Sequence, residues 1–196
     1  MRKIILSVIL ITILVLSVFS IYFQSEATAL GAHVVALKLD TGDTAWMIVA
    51  SALVLIMTPG LGFFYGGMVG KKNVISTMLQ SFMAMVIVTV LWVLVGFGLC
   101  FGPSVGGIIG DPSSNFMFNG VNSTTAWELA PTIPFILFAF FQAKFAIITP
   151  ALITGAFAER VRFWAYLLFM VLFILVIYAP LCHMTWHPDG LFFGWG

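Results

Sequence analysis

A chain of 196 residues that is 62% hydrophobic and only 8% charged lacks the polar surface of a soluble domain, in which about 25% of residues carry charge. With a mean hydropathy of +1.15 it reads as an integral membrane protein, and a net charge of +1 without a basic cluster offers nothing for nucleic acid to bind. Its two cysteines, Cys100 and Cys182, lie in apolar runs and fit neither a metal spacing nor a disulfide framework.

Residues 4–23, 44–69, 74–101, 131–158 and 163–186 form apolar runs that reach or approach the roughly 20 residues a helix needs to cross the hydrocarbon core. Strand alternation is absent, so the predicted fold class is an all-α membrane protein, a helical bundle. The first run follows Met1-Arg2-Lys3 and precedes Ala27-Thr28-Ala29, a small-x-small cleavage pattern. Residues 1–29 are therefore expected to be a signal peptide. The alternative is an uncleaved first helix, since the run is longer than most signal cores.

Charge orients the remaining runs. Arg2, Lys3, Lys71, Lys72, Arg160 and Arg162 are six of the eight basic residues and occupy alternate boundaries. The other boundaries carry Glu26, Asp40, Asp43, Asp111, Glu128 and Asp189, with Lys38 alone against them. The positive-inside rule places the basic loops in the cytoplasm. Residues 24–43, the loop 102–130 and the tail after Trp186 are then expected outside. The loop is rich in Gly, Ser and Asn, as an exposed connector should be. Its Asn122-Ser123-Thr124 triplet carries no weight, because such patterns arise by chance.

In the second run, Met57-Thr58-Pro59-Gly60-Leu61-Gly62-Phe63-Phe64-Tyr65-Gly66-Gly67 combines a helix-kinking proline with glycines that admit a close neighbour. Tight packing accounts for most of it, and a shaped conduction path is the sharper alternative. In the fourth run Phe141 and Phe145 share a helical face with Ile148 and Leu152, whereas Phe140 points elsewhere. Lys144 borders that face, about 60° from Phe141, and is the one charged residue inside a span. The fifth run ends in Cys182-His183-Met184-Thr185-Trp186-His187-Pro188-Asp189-Gly190. Trp186 suits an interfacial belt or a cation-binding face. His183 and His187 have the i,i+4 spacing of metal or haem ligands, but Pro188 stops the helix and no carboxylate or cysteine is placed beside the pair, so no metal is expected. No nucleophile with a placed base and no phosphate loop occurs, so the chain is not expected to be an enzyme, and no cofactor is implied.

Five strings then point one way: Asp40-Thr41-Gly42-Asp43-Thr44-Ala45-Trp46; Met57 through Gly67 to Lys72-Asn73; Phe141-Gln142 with Phe145-Ala146; Thr149-Pro150-Ala151-Leu152-Ile153-Thr154-Gly155-Ala156-Phe157-Ala158-Glu159-Arg160; and His183-Met184-Thr185-Trp186. Together they resemble the ammonium transporter (Amt/Rhesus) family over residues 40–196. The resemblance implies eleven helices in two inverted five-helix halves, assembled as homotrimers in the cell membrane. It also implies capture of ammonium on an outer aromatic cage, loss of a proton, and passage of ammonia. Carried onto this sequence, Trp186 resembles the cage tryptophan, Phe145 the cage and gate phenylalanine, and Phe141 a neighbouring vestibule ring. Lys144 departs from the small or apolar residue usual there and is a candidate modulator, expected to reach toward a water-filled vestibule.

The resemblance covers the first half only, residues 40–196 forming a partial transporter domain of four helices. Its pore histidines, second gate phenylalanine and fifth-helix aspartate have no counterparts in the sequence. The expectation is an incomplete copy whose single half encloses no path. The partners implied are ammonium or ammonia and the lipid bilayer. An ammonium sensor is the alternative reading. A His-ligated membrane redox enzyme is another, from a different class.

Overall fold

The computed structural model describes residues 33–195. The expected signal peptide, residues 1–29, lies outside them. A bilayer offers no partner for backbone N–H and C=O groups, so an apolar chain crosses it as helices. Four described helices are long and apolar enough: α1 Thr41–Met68, α2 Val74–Phe101, α3 Phe135–Phe157 and α4 Phe163–Trp186. The all-α bundle expected from the sequence is the fold observed.

Local chemistry sets the ends of these helices. Asp40 caps α1 by accepting the Asp43 N–H at 2.9 Å, satisfying a donor that the first turn leaves free. Pro134 precedes α3, so the helix begins four residues inside its apolar run. α2 lies centrally and packs against α1, α3 and α4, whereas α1 leaves most of its apolar surface uncovered. Gly62 and Gly66 let α2 approach α1: a Cβ at Gly62 would stand 3.2 Å from the Ser81 Cβ, and one at Gly66 2.8 Å from Met78. Gly60 and Gly67 meet nothing within 4 Å. Tight packing thus explains two glycines of that run and not the others.

Both α2 and α4 loosen into a π-turn midway, at Trp92–Gly96 and Phe173–Tyr178. Trp92 turns inward there and donates its indole N–H to the Ala139 carbonyl of α3 at 3.0 Å. Its ring also meets Phe97, Phe101 and Tyr178. This joins three of the four helices in one buried cluster.

The two ends of the bundle differ in character. At one end Glu159, with φ at +64°, accepts the Gly70 N–H at 2.7 Å and the Asn73 amide at 3.0 Å. Those two bonds hold its carboxyl below the usual range. They also tie the loop carrying Lys71 and Lys72 to the loop carrying Arg160 and Arg162.

The opposite end corrects the expectation of a plain exposed connector at 102–130. That segment folds into short antiparallel pairs, β2 (Ser104–Val105) with β3 (Ile109–Gly110), and β4 (Thr125–Trp127) with β1 (Val34–Ala36). Val121, Ala126 and Trp127 are buried. Trp127 lies nearly parallel to Phe135 and Phe138, at centroid separations of 5.9 and 5.7 Å. The loop thereby inserts an aromatic ring into the top of the bundle. Composition could not show this, because a few apolar residues anchor a segment that is polar on average. Asn122 is committed locally, its side-chain oxygen accepting the Thr124 and Thr125 N–H groups at 2.9 Å each.

Trp92→Phe removes one buried donor while keeping an aromatic ring, and should cost about 1 kcal/mol. Trp92→Ala should cost about 3–5 kcal/mol, because it also leaves a cavity. Thermal unfolding in detergent checks both, and an unchanged midpoint for Trp92→Phe would show that the indole bond carries no weight.

Candidate functional site

Three aromatic rings from two helices share one face below the folded loop. Phe141 and Phe145, one turn apart on α3, meet edge to face at 5.0 Å. Trp186, the last residue of α4, lies 6.5 Å from Phe145 with the rings inclined at 45°. Trp186 is 51% exposed, and Phe141 and Phe145 are half-buried. A small cation between Trp186 and Phe145 could lie within about 6 Å of both centroids, the range in which a ring face attracts it. Hence the rings named from the sequence lie close together.

Lys144 takes a different direction from the one its spacing suggested. Its Nζ stands 5.6 Å from the centroid of Phe140, a ring left exposed on the flank and packed edge to face on Phe118 at 6.0 Å. Helical side chains lean toward the N-terminus of their helix, and from this position Lys144 reaches the ring one turn earlier. Its ammonium group is held near Phe140, not over Phe141 or Phe145.

Behind Trp186 lies a polar cluster that the sequence did not reveal. All three histidines of the chain gather at the folded-loop end with Glu128 and Asp189. His183 donates from Nδ1 to the Cys100 carbonyl at 2.9 Å, which leaves Nε2 to accept the Ser104 hydroxyl at 2.9 Å. The His187 ring stacks on it at 4.4 Å and accepts the Asp189 N–H at Nδ1, 3.1 Å away. Its Nε2 is buried and has no hydrogen-bond partner among the described residues. Burial first, and then the neighbouring histidines, push the His187 pKa down to about 4, so the ring is neutral near pH 7.

His33 is different. Its Nδ1 lies 2.5 Å from Glu128 Oε2 and its Nε2 2.7 Å from Asp189 Oδ2. Carboxylates only accept, so both ring nitrogens donate and the ring is an imidazolium. Burial alone would lower the pKa of His33, but the bonds and charges of Asp189 and Glu128 outweigh it and raise the net value. The same contact holds Asp189 below its usual range.

This cluster corrects the premise that nothing beside the histidine pair could complete a metal site. His33, His187 and Asp189 each bring a ligand atom within 4.8 Å of the others. The separations are nonetheless those of proton sharing. Tetrahedral zinc, with bonds of roughly 2.0–2.1 Å, spaces its ligand atoms about 3.3 Å apart, against 2.7 Å between His33 and Asp189. The Asp189 N–H at His187 Nδ1 also keeps the ring proton on Nε2, the atom that would otherwise be free to ligate. His183, with both nitrogens engaged, is likewise poorly placed to ligate haem.

A cleft of about 430 Å³ lies at the opposite end, lined by Phe64, Tyr65, Met68, Val69, Gly155, Ala158 and Glu159. It is remote from the rings and takes no part in the site. His33, Glu128 and Asp189 escaped the sequence reading because the partners are 95 and 156 residues apart. Only the β1–β4 pairing and the turn after α4 bring them together.

A family model described as Ammonium Transporter Family matches residues 45–196. An ammonium transporter of Mycobacterium tuberculosis (strain H37Rv) is 48% identical over 164 residues, covering 77% of this chain and 34% of that protein. The crystal structure of Candida albicans Mep2 superposes with a TM-score of 0.72 at 33% identity, over 81% of this chain and 34% of the other. A structure titled Sensor Amt Protein gives a TM-score of 0.64 at 31% identity, over 72% of this chain and 33% of that one. The chain therefore spans about a third of the length of the relatives it matches.

Proposed function

The chain belongs to the ammonium transporter family, and from that premise we propose that it takes part in moving ammonium or ammonia across a membrane by capturing the cation on Trp186 and Phe145. What supports the reading is the approach of these two rings, 6.5 Å apart, from different helices onto one face. Ring faces attract a cation while replacing only part of its hydration. An apolar passage below them disfavours the charged form, since desolvation lowers the pKa of an ammonium group. Bare ammonium would face a far larger barrier than neutral ammonia. Capture followed by loss of a proton is the mechanism this chemistry favours.

The remaining roles follow the same reading. Phe141 packs against Phe145 and continues the aromatic surface toward the folded-loop end. Lys144, held beside Phe140, adds a fixed positive charge near the approach to the rings and moderates capture. The folded-loop end faces outside and the end with Lys71, Lys72, Arg160 and Arg162 faces the cytoplasm, in keeping with the positive-inside rule. The protein acts as a transport component, not an enzyme. Its passage forms only with the rest of a transporter of the relatives' length, assembled as a trimer.

A sensor is the second reading, favoured by the likeness to the Sensor Amt Protein structure. It shares the capture site and differs in output. Methylammonium uptake by cells that lack their own transporters, with the chain carried within a transporter of the relatives' length, separates the two. Accumulation above background is expected for transport, and none would overturn it.

Trp186→Ala should weaken methylammonium binding about 30-fold, the equivalent of the ~2 kcal/mol that a desolvated cation–ring contact supplies. Calorimetric titration reads the affinity, and an unchanged value would remove Trp186 from the site. Lys144→Met deletes the nearby like charge and should tighten binding about two- to fivefold, in the range of a screened surface interaction. Equal affinities would take from Lys144 its role as modulator.

A further inference from the structure

We propose that His33 is a positioning residue for the cation site: as an imidazolium gripped by Glu128 and Asp189 it fixes the turn behind Trp186, so that cation capture weakens when the ring loses its proton. The inference rests on the reading of Trp186 as a cation-binding ring.

Three distant segments meet at this one ring. His33 immediately precedes β1, Glu128 immediately follows β4, and the Glu128 N–H donates to the His33 carbonyl at 2.8 Å. Asp189 lies three residues beyond Trp186, in a turn that doubles back over the end of α4. There the Gly190 N–H reaches the His187 carbonyl at 2.8 Å and the Phe192 N–H reaches the Met184 carbonyl at 2.9 Å. At Gly190 an added Cβ would collide with the carbonyls of His183 and Met184, so the turn lies tight against the helix. Among the described residues, the Asp189 carboxylate is the one side chain of this turn that hydrogen-bonds to His33 beside the β1–β4 sheet, and the His187 ring packs next to it on Trp127 of β4 at 5.5 Å.

The clasp depends on a proton by simple counting. An imidazolium has two donors and a neutral imidazole has one. Once neutral, His33 can satisfy one carboxylate, and the other faces a lone pair at hydrogen-bond distance. The groups facing His33 are Glu128 from the end of β4, Asp189 from the turn, and His187 from the end of α4, with His183 stacked behind the last. His187 is neutral across the range in which His33 titrates. The His33 pKa is raised above its ordinary 6.5. The clasp is therefore complete below about pH 6.5 and is lost as pH rises through the higher value of the folded protein.

A competing electrostatic effect has the opposite sign. Deprotonation leaves Glu128 and Asp189 less compensated, which on charge alone would attract a cation more strongly. The pH profile of binding distinguishes positioning from charge. On the full chain in detergent, methylammonium affinity is measured from about pH 5.5 to about pH 8.5, where this probe stays cationic. We expect the wild type to weaken about fivefold or more across that range, the lower end of typical site-to-site coupling. His33→Arg, charged throughout, should stay tight and pH-independent. His33→Gln, with a single donor nitrogen and an acceptor oxygen that cannot bond the second carboxylate, should be weak and pH-independent. Melting temperature should follow the same pattern, falling with pH in the wild type and level in His33→Arg.

Wild-type affinity that is flat or rises with pH would overturn the proposal while leaving the capture site intact. So would variants that keep the wild-type profile. A profile abolished by a chelator would assign the cluster to a metal and overturn it as well. No methylammonium binding by the wild type at any pH would refute the reading of Trp186, and this inference with it.

Discussion

Lipid supplies no hydrogen-bond partner, and from that constraint most of this structure follows. A chain with 62% apolar residues satisfies its backbone inside helices and drives nearly every charged group to their ends. Chemistry is then confined to two places, the loops at each end and the inner faces where helices meet. The Gly62 and Gly66 contacts, the indole bond of Trp92 and the π-turns at Trp92–Gly96 and Phe173–Tyr178 are local solutions to one problem. Each brings a neighbouring helix closer or gives a polar group a partner where water has none to offer.

The two ends answer different demands. At the basic end a single carboxylate, Glu159, joins two short loops by accepting backbone and amide donors. At the other end a long polar loop is made part of the bundle by Trp127, which packs on Phe135 and Phe138. That anchoring creates a fixed platform beside the end of α4. Trp186 projects from the same helix end, so the order of the loop and the placement of the ring are mechanically connected. The three histidines occupy the junction, two of them stacked and one charged and clasped.

The capture proposed for Trp186 and Phe145 fits this division. Ring faces bind a cation without neutralising it, so release from such a site would cost little. Trp186 lies beside the platform at the end of α4 and Phe145 midway along α3, and a charge carried further into the bundle would meet the full desolvation penalty. Lys144 shows how that penalty is avoided: its ammonium group leans toward the flank of Phe140, toward the N-terminal end of α3.

Membrane class, four spans, the basic and acidic ends and the family resemblance were all legible in the amino-acid order. Each is a local property, summed over about 20 neighbouring residues or carried by a contiguous string. Phe141 and Phe145 were legible as a pair for the same reason, being one turn apart on a single helix. Their approach to Trp186 required the packing of α3 against α4, which hydropathy does not encode. The direction of Lys144, the folding of 102–130 and the clasp of His33 on Glu128 and Asp189 were decided only in three dimensions. Those contacts join residues as many as 156 positions apart, and hydrogen bonds and ring contacts act over a few ångströms of space whatever the length of chain between them.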